Sequence, residues 1–284
     1  MDSKSVTEHY AKRDLGDAIL DALRASGKDL NALTIDDLAP VDQFHVRGKQ
    51  STLELAQRAG ISANDKILDV GGGIGGPART LATMFGCDVT VVDITEEFIH
   101  VGEMLTAKLG LSDRVHHRHG DALSLPFADA SFDVVWTQHS TMNIEAKANV
   151  YAEFQRILRP GGRYALQEIM QGENSPVHFP VPWARDPAIN FLLPPPTMRE
   201  LIEAADFAAL DWIDDTASAR AWYDKRIQSA ASGMPPLGIH LLLGNDMMAM
   251  SQNQIRNLNE SRIAIVQAVF QKTLADASVV LRSY

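Results

Sequence analysis

Five of the six residues from Gly71 to Gly76 are glycine, and they follow directly on the run Ile67-Leu68-Asp69-Val70. A short apolar run of this kind reads as a parallel strand covered on both faces. The glycines let the backbone turn sharply and approach a ligand with no Cβ in the way. Pro77 suits the first turn of a helix, where its missing N–H costs nothing. That helix would present free N–H groups and a positive dipole end to whatever lies over the loop. Strand, glycine turn and helix together restrict the chain to the α/β class and mark a cofactor-binding turn.

The identity of the cofactor turns on two carboxylates. Gly71, Gly73 and Gly76 satisfy G-x-G-x-x-G, and Asp93 ends a second strand, Val89-Thr90-Val91-Val92-Asp93, roughly 20 residues further on. An acidic residue there accepts hydrogen bonds from ribose hydroxyls. Nicotinamide, flavin and S-adenosylmethionine (SAM) proteins share this much. Asp69, at the end of a buried strand, needs a partner. A pyrophosphate would repel it, whereas the ammonium group of a methionine moiety would pair with it. The Asp69-Val70-Gly71-Gly72-Gly73 stretch resembles the Asp-x-Gly-x-Gly motif of the class I SAM-dependent methyltransferases. A purely structural glycine loop is the plain alternative.

Along the chain, residues 1–60 read as a helical cap segment. Asp14 is placed to cap a helix carrying Leu15, Ile19, Leu20 and Leu23, with Gly27 as its stop. Thr34–Leu38 reads as a short second helix before Pro40, and Ser51 or Thr52 caps a third that ends near Gly60. From Lys66, strands alternate with helices: strands at Asp88–Val92, Arg114–His119, Phe132–Gln138 and Arg163–Met170, with helices at Pro77–Phe85, from Thr95 to Gly110, and around Lys147–Arg159. Such repeats imply a parallel sheet with right-handed crossovers. The rhythm breaks at the proline-rich residues 171–196, the length of irregular chain expected of a lid. Thr197-Met198-Arg199-Glu200 reads as a capping box, Phe207–Asp214 as a sixth strand and Arg262–Gln271 as a seventh. Residues 215–258 form a helical insertion between them. Residues 61–284 are thus expected to be one α/β domain with lid insertions near 171–196 and 215–258.

Composition excludes several alternatives. The net charge of −10 supplies no basic field for nucleic acid. The single cysteine, Cys87, allows no intrachain disulfide and no multi-cysteine metal site, which fits a reducing compartment. No apolar run reaches the roughly 18 residues of a membrane span, and Met1–Ser5 shows no signal-peptide core. The expectation is a cytoplasmic protein with a small-molecule substrate, no nucleic-acid or membrane partner and a homodimer left open. His117 and His119 share a strand face, but no third ligand lies nearby, so no metal site is expected.

Further stretches resemble the same methyltransferase family in the family's order. Gly120-Asp121-Ala122 follows the third strand, Phe132-Asp133-Val134-Val135-Trp136 resembles the fourth-strand motif, and Leu158-Arg159-Pro160-Gly161-Gly162 the turn before the fifth strand. The chain is similar in general appearance to the ubiquinone/menaquinone, tocopherol and sarcosine/dimethylglycine enzymes. The resemblance implies a Rossmann-like seven-stranded methyltransferase fold with a mostly parallel sheet. It also implies SAM as cofactor, S-adenosylhomocysteine as product, and in-line methyl transfer to a small-molecule acceptor, while Phe179, Trp183, Phe191 and the methionine-rich Met247–Met250 stretch suit a cyclic or partly apolar one. Asp69, Gly71, Gly73, Asp93, Ile94, Asp121, Ala122 and Gln138 are then the cofactor residues. His139, after the fourth strand, is the candidate base or acceptor-orienting group; a histidine merely bonded to backbone is the alternative. Tyr10, Gln43, His45, Arg47, His178 and Trp183 are candidate substrate contacts. The rivals are an NAD-dependent oxidoreductase, against which Asp69 and the Gly120–Ala122 motif speak, and a non-catalytic SAM-binding protein. The acceptor atom (O, N, C or S) stays open.

Overall fold

The computed structural model describes residue 9, residues 14–229 and residues 235–273. Seven strands form one sheet: β1 Lys66–Val70, β2 Asp88–Asp93, β3 Val115–His119, β4 Phe132–Gln138, β5 Leu158–Gln171, β6 Phe207–Asp214 and β7 Ile263–Lys272. They lie in the order β3-β2-β1-β4-β5-β7-β6. The pairs from β3 through β5 are parallel, and β7 runs antiparallel to both its neighbours. This is the expected mostly parallel sheet with two strands added at the end. Chain order reverses direction between β1 and β4, which creates the crevice at the strands' carboxyl ends where such sheets bind ligands.

Alternation along β1 sends its side chains to two cores, as strand geometry requires. Ile67 packs with Val89, Val91 and Trp136 against helices α3 (Gly48–Arg58) and α4 (Gly76–Phe85), which supply Leu55, Ala78 and Leu81. Leu68 and Val70 join Tyr164, Phe154 and Ile157 under α6 (Lys147–Ile157). Helix α5 (Glu96–Lys108) packs with α1 (Leu15–Ala25) and α2 (Ile35–Asp42) around Ile19, Leu38, Phe98 and Leu105. The fourth core joins the irregular 171–196 stretch to Val46, Met142 and Ile265, through Val181 and Trp183. Helices α7 (Pro195–Glu203), α8 (Thr216–Ser229), α9 (His240–Leu243) and α10 (Met247–Asn259) complete the described chain. No helix among the described residues is long and apolar enough to cross a membrane.

Four helix starts differ from expectation. Asp14 is left-handed, with φ 63°, and makes no side-chain cap. Helix α3 begins at Gly48, before Ser51 and Thr52, because Arg47 turns the chain into it at φ 67°. The Ser51 hydroxyl donates instead to the carbonyls of Val46 and Gly48. Thr95 occupies the cap position of α5 without a side-chain bond. Thr197 forms no capping box: α7 starts at Pro195, and Pro195 and Pro196 fill first-turn positions whose N–H groups would have no helical partner. Thr34 caps α2 with Asp37 completing a capping box, and the helix runs through Pro40 to Asp42 instead of stopping before the proline. Gly27 ends α1 as expected: Gly27 N–H bonds Arg24 O and Lys28 N–H bonds Leu23 O.

Candidate functional site

A cavity opens at the carboxyl ends of β1, β2, β3 and β4. Asp69, Gly71, Gly73, Asp93, Ile94, Asp121, Ala122 and Gln138 all line it. Separate segments converge there because parallel strands end together at the crevice.

Its polar half is built on Asp69. The residue pairs with Val91 of β2 and Trp136 of β4, so the sheet fixes its position. It is 1% exposed, and its Oδ2 has no hydrogen-bond partner among the described residues. Burial, with the Asp93 carboxylate adding to it, pushes Asp69 up to about 8. The glycine loop is wrapped tightly around this carboxyl: a Cβ on Gly72 would lie 2.6 Å from Asp69 Oδ2. Gly71 takes φ +69°, and a Cβ there would collide with Ser140 of the facing loop. Asp93 is satisfied from the protein side, accepting from Gly73 N–H (2.9 Å) and Thr95 N–H (2.8 Å). Burial raises its pKa, although those two N–H groups act against the rise. Asp121 accepts from Leu123 N–H at 2.9 Å, which shapes the turn beside Ala122.

The other half is lined by the loop after β4. His139 stands at φ 54°, held by its N–H bond to Gln167 O (2.8 Å), and its Nε2 has no partner among the described residues. Burial, with His45 nearby, keeps its pKa well below the ordinary value, so the imidazole is neutral. His45 lies edge-on to it with ring centroids 6.3 Å apart, and burial pushes His45 down to about 4. His45 Nε2–H donates to Gly48 O at 2.9 Å, which fixes its tautomer. The Gln138 side chain is occupied: Oε1 accepts from Trp136 and Thr52, and Nε2 donates to Gln167.

The other candidate substrate residues divide. Trp183 is buried and lines the cavity, its indole N–H bonded to Asn190 Oδ1. Gln43 lies outside the lining and donates to Thr80 Oγ1. Arg47 is also outside it, bonding both oxygens of Asp215 at 2.9 and 2.7 Å and Glu54 at 2.8 Å. His178 Nε2 lies 2.8 Å from Glu260, which ties the 171–196 stretch to α10. Tyr10 lies outside the described residues. His117 contacts Thr106 Oγ1 and His119 contacts Ile94 O, so both serve local packing.

Sequence reasoning missed three charged residues beside the site. Glu168 of β5 is buried, with its Oε1 facing the N–H groups of Ser140 (3.5 Å) and Thr141 (3.4 Å). Lys147 at the start of α6 donates to Thr141 O (2.6 Å) and Ile144 O (3.0 Å). Burial raises the glutamate's pKa and lowers the lysine's. Asp42 lines the cavity and is paired to the fully buried Arg79 at 2.9 Å. A glutamate within the apolar run of β5 was the one visible signal.

Residues 68–166 match the model of the methyltransferase domain. The sterol 24-C-methyltransferase of Eremothecium gossypii is 42% identical over 120 residues, 42% of this chain and 32% of that protein. The chain spans about a third to a half of the length of the curated relatives it matches. Among solved structures, geranyl diphosphate C-methyltransferase from Streptomyces coelicolor A3(2) superposes with a TM-score of 0.69 at 17% identity, covering 95% of this chain and 98% of that one. The [4+2]-cyclase SpnF gives 0.65 at 21% identity, covering 91% and 94%. These likenesses show the Rossmann-like methyltransferase fold, and the domain match spans the stretch that carries the glycine loop and the motifs after it.

Proposed function

We propose that this chain is a SAM-dependent methyltransferase acting on a small-molecule acceptor. The observation that carries the reading is Asp69, a buried carboxyl with an unpartnered oxygen beneath a glycine loop. A cationic ligand group gives such a carboxylate a reason to ionise. The methionine ammonium of SAM fits that demand, while the pyrophosphate of a dinucleotide does not. Bound there, the cofactor supplies an electrophilic methyl group on a positively charged sulfur. Asp93 would hold the ribose hydroxyls through its remaining lone pairs. Asp121 would receive the adenine amino group, with Ile94 and Ala122 on the ring. Gly71 and Gly73 let the backbone approach.

The chain's own contribution to the transfer is orientation, which supplies roughly 7–11 kcal/mol of such barriers in favourable cases. His139, neutral and beside the cofactor half, is the group that aligns the acceptor and takes its proton where one must leave. Residues 1–60 would act as a cap, and the insertions near 171–196 and 215–258 as lids. Freedom from nucleic-acid partners agrees with the net charge of −10, and a cytoplasmic location with the single cysteine.

Calorimetric titration with S-adenosylhomocysteine, beside NADH and with Asp93→Ala as control, tests the cofactor. Tight product binding that the substitution weakens, with no NADH signal, is expected; binding of NADH alone would refute the reading. His139→Ala should lose turnover while keeping cofactor affinity. Unchanged turnover would remove it from the transfer step.

A further inference from the structure

The acceptor half of the cavity differs in charge from the cofactor half. Four carboxylates line the cavity: Asp42, Asp69, Asp93 and Asp121. Each is on or against the glycine loop or in the turns after β2 and β3. Beyond these carboxylates the lining is apolar or uncharged: it includes His45, His139, Met142, Ile169, Trp183 and Gln254, of which Met142, Ile169 and Trp183 pack in one core. No lysine or arginine lines the cavity among the described residues.

Among the described residues, the buried lysine and arginines are turned to other work. Lys147 holds the carbonyls of Thr141 and Ile144, Arg47 holds Asp215 and Glu54, and Arg79 holds Asp42 and Ile74 O. Withdrawing one to meet a ligand would leave a buried carboxylate or carbonyl unpaired, at a cost of several kcal/mol. Both imidazoles of the acceptor half are neutral, so neither serves as a counter-ion. An anionic acceptor would enter a low-dielectric space lined by carboxylates and, among the described residues, by no cationic side chain; the one positive charge beside it would be the cofactor's sulfonium, which S-adenosylhomocysteine lacks.

We infer that this cavity selects an uncharged, largely apolar acceptor and refuses one that carries a phosphate or carboxylate. The inference rests on the methyl-transfer reading and narrows it to a substrate class. It also sets the chain apart from its structural neighbour described with geranyl diphosphate, with which it shares the fold alone.

The test is calorimetry on the full chain saturated with S-adenosylhomocysteine. The probes are geraniol, 1-naphthol and estradiol, each beside its phosphate monoester. At least one alcohol should bind ten-fold or more tightly than its ester. Gln254→Lys, which places an ammonium in the acceptor wall, should narrow that gap at least three-fold. Esters that bind as tightly as their alcohols, no binding by any alcohol, or a gap unchanged by Gln254→Lys would each overturn the inference. Failure of S-adenosylhomocysteine itself to bind would instead remove the reading beneath it, so the two failures are distinguishable.

Discussion

At the scale of single residues, the proposed function rests on Asp69. Its carboxyl is desolvated and meets no cation among the described residues, so it is held protonated near neutral pH. Asn has the same shape without the charge. Asp69→Asn should therefore leave the melting temperature of the free protein unchanged or higher, while weakening S-adenosylhomocysteine about 10- to 150-fold. That range corresponds to the roughly 1.5–3 kcal/mol of a hydrogen bond to a charged group. Thermal melts with and without ligand separate the two effects. Gly72→Ala should abolish cofactor binding in the same assay, since its Cβ would press on Asp69 Oδ2. The buried, unpartnered position of Asp69 was legible in the sequence because a carboxylate in an apolar run just before a glycine cluster has few explanations. Glu168 has an equally revealing position within β5. Its partners, Ser140 N–H and Thr141 N–H, come from a loop about 27 residues away, and no local pattern points to them.

At the scale of elements, the loop after β4 is held from both sides, by Glu168 at its N–H groups and by Lys147 at its carbonyls. Lys147→Met should lower turnover while leaving S-adenosylhomocysteine affinity within about two-fold. It removes the donor to Thr141 O and Ile144 O but nothing on the Asp69 side. Steady-state kinetics beside calorimetry would show the split. Arg47 joins the turn before α3 to Asp215 at the start of α8. Arg47→Met should destabilise the fold by about 3 kcal/mol in urea denaturation, the cost of leaving a buried carboxylate alone. The strands at Phe132–Gln138 and Phe207–Asp214 match the sequence expectation residue for residue, and β2 extends only to Asp93. Buried parallel strands appear as apolar runs between turn residues, so their signal is local. Helix starts were less legible. Asp14, Ser51, Thr95 and Thr197 all have side chains suited to capping, but Arg47, Pro195 and the packing around them decide where the first turn forms.

At the scale of the whole molecule, parallel strands ending together gather residues from five segments onto one cavity, and the sheet buries Asp69 deeply enough to shift its proton affinity. The sign of the consequence follows from linkage. The folded-state pKa of Asp69 is raised above its unfolded value, so the free protein loses stability as pH rises from about 4 towards about 8. A bound ammonium favours the carboxylate, so binding expels the proton, and affinity should rise with pH up to about 8, by at most ten-fold per unit. The measurement to make is the calorimetric heat of S-adenosylhomocysteine binding at pH 7 in two buffers of different ionisation enthalpy. The expected result is release of close to one proton per site in the wild-type chain and none in Asp69→Asn. A heat independent of buffer in the wild-type chain would contradict the pairing of Asp69 with a cationic cofactor group.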